Sequence, residues 1–161
     1  MLLAVFSDSH GNSKNMIAAV TREKPDEVVF LGDGVADAEK LAKAYPELPV
    51  RILRGNCDHD AYDVEECAIF ELEGVKIFAA HGHIQGVRFG MERFGNSVYF
   101  SGCTLGLYGH THRALCQTVN GMTFFNPGSV GDRQFPTYGL IEINSGEFIC
   151  KIKDFSEENK Q

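Results

Sequence analysis

No apolar run in this chain of 161 residues is long enough to cross a membrane, and no cluster of basic residues marks a nucleic-acid or lipid surface. The net charge of −7 argues further against general nucleic-acid binding, so neither a membrane nor a nucleic acid is expected as a partner. The apolar start Met1–Phe6 has no basic region before it and runs directly into Ser7-Asp8-Ser9-His10, which reads as a strand rather than a signal peptide. Paired cysteines are missing too. Cys57, Cys67, Cys103, Cys116 and Cys150 are odd in number, scattered and never in a C-x-x-C pair. That pattern fits reduced thiols in a cytoplasmic protein and excludes a disulfide framework or a thiolate zinc site. Internal repeats and low-complexity linkers are also lacking, so one domain over residues 1–155 is expected, followed by a polar tail over 156–161.

What is present begins with a β-α rhythm. Residues 2–6, 28–31 and 50–53 read as buried strands, separated by helices over 13–22, with Ser13 as cap, and 36–45. The second half is richer in strand. A hairpin over 68–80 turns at Glu73-Gly74, a helix over 88–100 presents Phe89, Phe94, Val98 and Tyr99, and 105–108 is a short strand. Hairpins then turn at Asn120-Gly121 and around Asn144-Ser145-Gly146. This is an α/β chain.

The strand ends share one grammar. Asp8-Ser9-His10, Asp33, Asn56, His81 and His110-Thr111-His112 each follow an apolar strand within a loop that contains glycine. Ligands of open α/β sheets bind beyond the carboxyl ends of strands, so these loops are expected to converge on one edge. Taken singly, Asp33 reads as a helix cap, Asn56 as a turn residue and each histidine as loop filling. Taken together, carboxylates, imidazoles and an amide without cysteine suit borderline divalent transition metals. The set exceeds what one ion needs. Two ions a few ångströms apart would use all of it, binding a phosphoryl group and activating a water for in-line displacement.

In order, D-x-H, G-D, G-N, a strand-terminal H-G and G-H-T-H resemble the motifs of the calcineurin-like metallophosphoesterase superfamily. The later Asn126-Pro127-Gly128-Ser129 and the short spacings are similar to its small YfcE-like phosphodiesterase branch. The resemblance implies a single-domain four-layer α/β/β/α sandwich with two packed mixed β-sheets. It implies two divalent transition-metal ions, manganese first, with nickel, iron, zinc or cobalt as alternatives. Asp8, His10 and His112 would hold one ion, and Asn56, His81 and His110 the other, with Asp33 bridging. The implied reaction is hydrolysis of a P–O bond by a hydroxide held between the ions. Asn56, His81 and Asp58 are the expected catalytic residues, Asp58 by orienting a neighbour. A small phosphodiester is the expected substrate, and a homodimer is compatible with the aromatic residues between Phe89 and Phe100.

One position departs from the pattern. Many members have histidine after Gly-Asn, whereas this chain has Cys57, a weaker proton donor that favours diesters or acidic leaving groups. His59 and His83 are the available substitutes, and Arg133 is a candidate phosphate contact. Two alternatives share the fold: a protein-interaction scaffold like the retromer subunit, and a nuclease of the same chemistry.

Overall fold

Strand β1 (Leu2–Phe6) shows why the amino-terminal half is apolar without a break. Successive side chains of a strand point to opposite faces, and here both faces are covered. In the computed structural model, which describes residues 1–155, Leu3 and Val5 face a second sheet while Ala4 and Phe6 face helices. Strand β2 (Glu27–Phe30) repeats the division, with Val29 on the inner side and Val28 and Phe30 on the helical side.

The helices are α1 (Ser13–Glu23) and α2 (Val35–Ala44), which alternate with β1, β2 and β3 (Val50–Ile52). These three strands are parallel, and β9 (Thr137–Asn144) and β10 (Glu147–Asp154) extend the sheet antiparallel in the order β10-β9-β1-β2-β3. The second sheet has the order β4-β5-β6-β8-β7. It comprises β4 (Cys67–Leu72), β5 (Val75–Ala80), β6 (Leu105–Leu107), β7 (Leu115–Val119) and β8 (Met122–Asn126). Its centre, β5-β6-β8, is parallel and its margins antiparallel. Helix α3 (Glu92–Phe100) covers the outer face of this sheet through Phe94 and Val98.

The result is four layers, helices, sheet, sheet and helix, as the resemblance implied. Between the sheets lie Val29, Leu31, Ile77, Leu107, Phe125 and Ile141 among others, all fully buried. Each such side chain contributes about 1.5–3 kcal/mol by leaving water. The hairpins turn where the sequence indicates. Glu73-Gly74 and Asn120-Gly121 both have positive φ at each residue, the geometry that matches strand twist.

Two local expectations need correction. The helix expected from residue 88 begins only at Glu92, and residues 83–90 form turns instead. Phe89 is consequently 98% exposed, and Tyr99 also faces solvent, so only Phe94 and Val98 of the expected apolar side are core. Gly90, with φ 158°, is near-extended and breaks the helical path just before α3. The polar tail expected over 156–161 lies outside the described residues.

Candidate metal centre

Because β1, β2 and β3 are parallel, the loops after them leave one edge of the first sheet. Strands β5 and β6 are parallel likewise, and Gly109 N–H donates to the His81 carbonyl at 3.1 Å, so their loops leave side by side. The loops of the two sheets are then sewn together. Asp8 N–H reaches Gly32 O at 2.9 Å, His10 N–H reaches Asp33 O at 3.1 Å, and His110 N–H reaches Asp8 Oδ2 at 3.0 Å.

Two groups of donors result. Asp8, His10 and His112 form one, each offering an atom within 4.8 Å of the others, and Asp33, His81 and His110 form the second. In the first, Asp8 Oδ1 lies 3.0 Å from His112 Nε2, and the Nε2 atoms of His10 and His112 are 3.2 Å apart. In the second, His81 Nε2 lies 3.4 Å from Asp33 Oδ2 and 3.9 Å from Asp8 Oδ1. The Nδ1 atom of His81 donates to Leu31 O at 2.9 Å, which leaves Nε2 as the lone-pair end of the ring. Asp33 also comes within 4.8 Å of His10 and Cys57, so its carboxylate belongs to both sides of the cluster.

The loops hold these residues under strain. Asp8, His10, Asp33, His110 and His112 all have φ between 45° and 63°. Among the described residues, the other non-glycine residues with positive φ are Lys24, at the end of α1, and Glu73, Asn120 and Ser145, at hairpin turns. Such a conformation costs about 1–3 kcal/mol per residue and persists only where neighbouring contacts over-determine it. Close backbone approaches do part of this. A Cβ on Gly55 would sit 2.2 Å from Asp33 Oδ1, and one on Gly109 would sit 1.9 Å from Ser7 Oγ.

Side chains do the rest. Asp58 accepts four backbone N–H groups, with Oδ2 taking Asp33 and Gly55 and Oδ1 taking Gly34 and Val35, at 2.7–2.9 Å. It thereby fastens the Asp33 loop to the Asn56 loop and supplies the start of α2 with the acceptor that Asp33 does not. Asn126 Nδ2 donates to Gly109 O and Thr111 Oγ1, and Ser129 Oγ donates to Asp8 O at 2.7 Å. Asn126 thus braces the His110–His112 loop, and Ser129 braces the Asp8 loop. Sequence reasoning missed Asp37. Its buried Oδ2 accepts Ser9 Oγ and Gly11 N–H, both at 2.7 Å, and so grips the chain on either side of His10. In the sequence it looks like any acid in the first turn of a helix.

The charges follow from this packing. Burial would raise the Asp33 carboxyl, but His81 and the Cys57 N–H more than reverse it and hold it well below the usual carboxylate range. His81 is raised: burial opposes its charge, yet Asp33 and Asp8 outweigh burial. His112 is raised by its contact with Asp8, against burial. Burial, then the charges of His81 and Arg88, push His110 down to about 4, so it is a neutral base at pH 7. Burial and the neighbouring Asp33 push the Cys57 thiol up to about 11, which keeps it protonated and unsuited to be a thiolate ligand.

These donors fit divalent transition metals. Asp8 Oδ1 and His81 Nε2 are buried and have no hydrogen-bond partner, and an orphaned buried polar atom costs about 1–3 kcal/mol. Both point into the same cluster of oxygen and nitrogen donors, where a cation would satisfy them. The cluster closes residue spacings such as the 102 positions between His10 and His112, so it is a product of the whole fold.

The sequence profile of the calcineurin-like phosphoesterase superfamily domain matches residues 1–146. The chain belongs to this superfamily. A probable metallophosphoesterase of Mycoplasma pneumoniae is 29% identical over 150 residues, covering 88% of this chain and 89% of its own. Phosphodiesterase MJ0936 of Methanocaldococcus jannaschii is 26% identical over 168 residues, covering 92% and 96%. Among solved structures, a predicted phosphoesterase of Streptococcus pneumoniae superposes with a TM-score of 0.80 at 27% identity, covering 95% of this chain and 88% of that one. Vps29 of Entamoeba histolytica, solved with zinc, superposes at 0.77 and 21% identity over 96% and 99%, a likeness of fold.

Within this calcineurin-like domain, six of the residues read as ligands, Asp8, His10, Asp33, His81, His110 and His112, come together in the two donor groups. Asn56 stands beside them: its side chain is exposed and its amide donates to Cys57 Sγ at 3.3 Å, while Cys57 N–H donates to Asp33 Oδ1 at 2.8 Å. His83 packs against both His81 and His110, with ring centres 5.4 and 6.2 Å away. His59 is exposed and lines a cleft with Cys57, Asp60 and Asp63. Arg133 lines a cleft of about 400 Å³ together with His10 and His112.

Proposed function

We propose that this phosphoesterase is a cytoplasmic phosphodiesterase that works with two divalent metal ions, manganese being the expected pair. The observation that carries the reading is the pair of donor groups with two buried atoms that make no hydrogen bond, Asp8 Oδ1 and His81 Nε2, at their heart. Asp8, His10 and His112 would hold one ion, Asn56, His81 and His110 the other, and Asp33, which neighbours both groups, would bridge. When bound, the ions would neutralise phosphoryl oxygens and activate water.

The chain's own residues do the remaining work. His81 is held by Leu31 O, so its Nε2 is aimed before any ligand arrives. The Asn56 amide is exposed and free to turn from Cys57 to a phosphoryl oxygen. Asp58 positions Asp33 rather than touching substrate, since four N–H groups occupy its oxygens. His83, beside His81 and His110, is the better placed of the two substitutes for the missing histidine. A protonated, uncharged Cys57 gives little help to a poor leaving group, which supports diesters with acidic leaving groups over monoesters. The name of the relative MJ0936, a phosphodiesterase, points the same way.

Protein reconstituted with manganese is expected to hydrolyse bis(p-nitrophenyl) phosphate faster than p-nitrophenyl phosphate, and chelation should abolish both rates. Absence of turnover on every activated aryl ester, with metal demonstrably bound, would favour the scaffold alternative. Cleavage of DNA in preference to small diesters would favour the nuclease.

A further inference from the structure

A second groove runs alongside the candidate centre, on the side of α3. It has a volume of about 680 Å³ and an apolar floor of Val87, Met91, Tyr108 and Leu115. Thr111, which separates His110 from His112, forms one wall. The groove continues past Met91, Tyr108 and Leu115 into a further cleft of about 510 Å³ against Met122 and Phe124. Volumes of this size accept a ligand as large as an aryl phosphate or a nucleotide.

Arg88 and Arg113 stand over this floor, and both are exposed. Arg22, Arg51 and Arg54 each pair with a glutamate, whereas Arg88 and Arg113 have no carboxylate partner among the described residues. Arg93 and Arg133 lack one as well, but neither lines this groove, where Arg88 and Arg113 bring two positive charges to one apolar surface in a chain of net charge −7. Arg88 also ties the groove to the centre, donating from Nε and Nη2 to the His110 carbonyl at 3.3 and 3.0 Å. A separate cleft has the reverse character. The cleft beside Cys57, of about 330 Å³, is lined by Glu39, Asp60 and Asp63 and would repel an anion.

We propose that the Arg88–Arg113 groove binds the non-leaving substituent of the phosphoester substrate, an apolar group that carries a second negative charge. The inference rests on the phosphodiesterase reading for its substrate and on the groove alone for its selectivity. The apolar body lies on Met91, Tyr108 and Leu115, its anion meets Arg113, with Arg88 held nearer the centre by the His110 carbonyl, and the acidic cleft sets the orientation by excluding that anion. The leaving group, which carries no charge beyond the oxygen freed from phosphorus, then departs on the Cys57 side and takes its proton from water.

The test pairs binding with turnover on the manganese-loaded protein. Calorimetric titration with phenylphosphonate and 4-carboxyphenylphosphonate, neither of them hydrolysable, is compared with rates on p-nitrophenyl phenyl phosphate and its 4-carboxyphenyl counterpart. Wild type should favour the carboxylated member about tenfold in both Kd and kcat/KM. Arg113→Glu should cancel or invert that preference, and Leu115→Asp should weaken phenylphosphonate binding. Lys43→Glu, the same charge change on α2 over the other sheet, should leave the preference within about twofold. Equal affinity of wild type for the two phosphonates, or the same loss of preference in Lys43→Glu as in Arg113→Glu, overturns the groove. Discrimination of the phosphonates that Arg113→Glu cancels, without hydrolysis of either ester, upholds the groove and overturns the phosphodiesterase reading.

Discussion

The two donor groups are built from the same residue types but stand in different surroundings. In the Asp33–His81–His110 group, Asp33 and His81 side chains are 3% and 0% exposed, and a backbone carbonyl fixes the imidazole. In the Asp8–His10–His112 group, Asp8 is equally buried but both histidine side chains are 38% exposed. Burial raises the strength of every charge interaction and limits exchange with water, so the first-named group should hold its ion more tightly and release it more slowly. The difference teaches that the same residue types can build an enclosed donor group beside an open one, with Asp33 close to both.

The largest expected effect comes from removing the link. Asp33→Ala should lower turnover by about 10³-fold or more and reduce metal content at both positions, as read by initial rates and elemental analysis. Loss of only one ion would show that Asp33 belongs to a single group.

Most of the two donor groups was legible in the sequence because these donors follow strands whose apolar runs are themselves conspicuous. Asp8 follows Val5-Phe6, Asp33 follows Phe30-Leu31 and His81 follows Ala79-Ala80. The burial of the first strands was legible for the same reason, and Leu3 and Ala4 pack to opposite sides, whereas the four layers were implied by the family resemblance. The supports were legible only in part. Asp58 was expected to orient a neighbour, but its four backbone N–H partners were not foreseen, and nothing in the local pattern of Asp37 separates it from any helix-start acid. The start of α3 was misread because Arg88 and Phe89 suit a helix by type, while Gly90 ends the preceding turns. Phe89 therefore stands in solvent rather than in the core.

The supports allow the comparison to be sharpened. Asp58→Asn can no longer accept all four N–H groups and should weaken metal binding chiefly at the Asp33–His81–His110 group, by about 10–100-fold. Asp37→Asn should weaken chiefly the Asp8–His10–His112 group, because it loosens Ser9 and Gly11 on either side of His10. Metal titration of each variant separates the two outcomes, and equal weakening of both ions in both variants would erase the distinction between the groups.

The smallest effect is expected at Cys57. Replacing the protonated thiol by an imidazole in Cys57→His should leave the number of bound ions unchanged and raise monoester hydrolysis relative to diester hydrolysis by about tenfold. Rates on a matched pair of p-nitrophenyl esters measure it, and an unchanged ratio would place the proton donor elsewhere, with His83 next to be changed.

A stepwise manganese titration of the metal-free protein, followed calorimetrically in wild type, His10→Ala and His81→Ala, tests the central claim most directly. Two ions per chain with separated affinities are expected; His10→Ala should abolish the weaker event and spare the tighter one, and His81→Ala should abolish the tighter one. One ion per chain in wild type, or the same single event lost in both variants, would contradict a dinuclear centre built from two unequal halves.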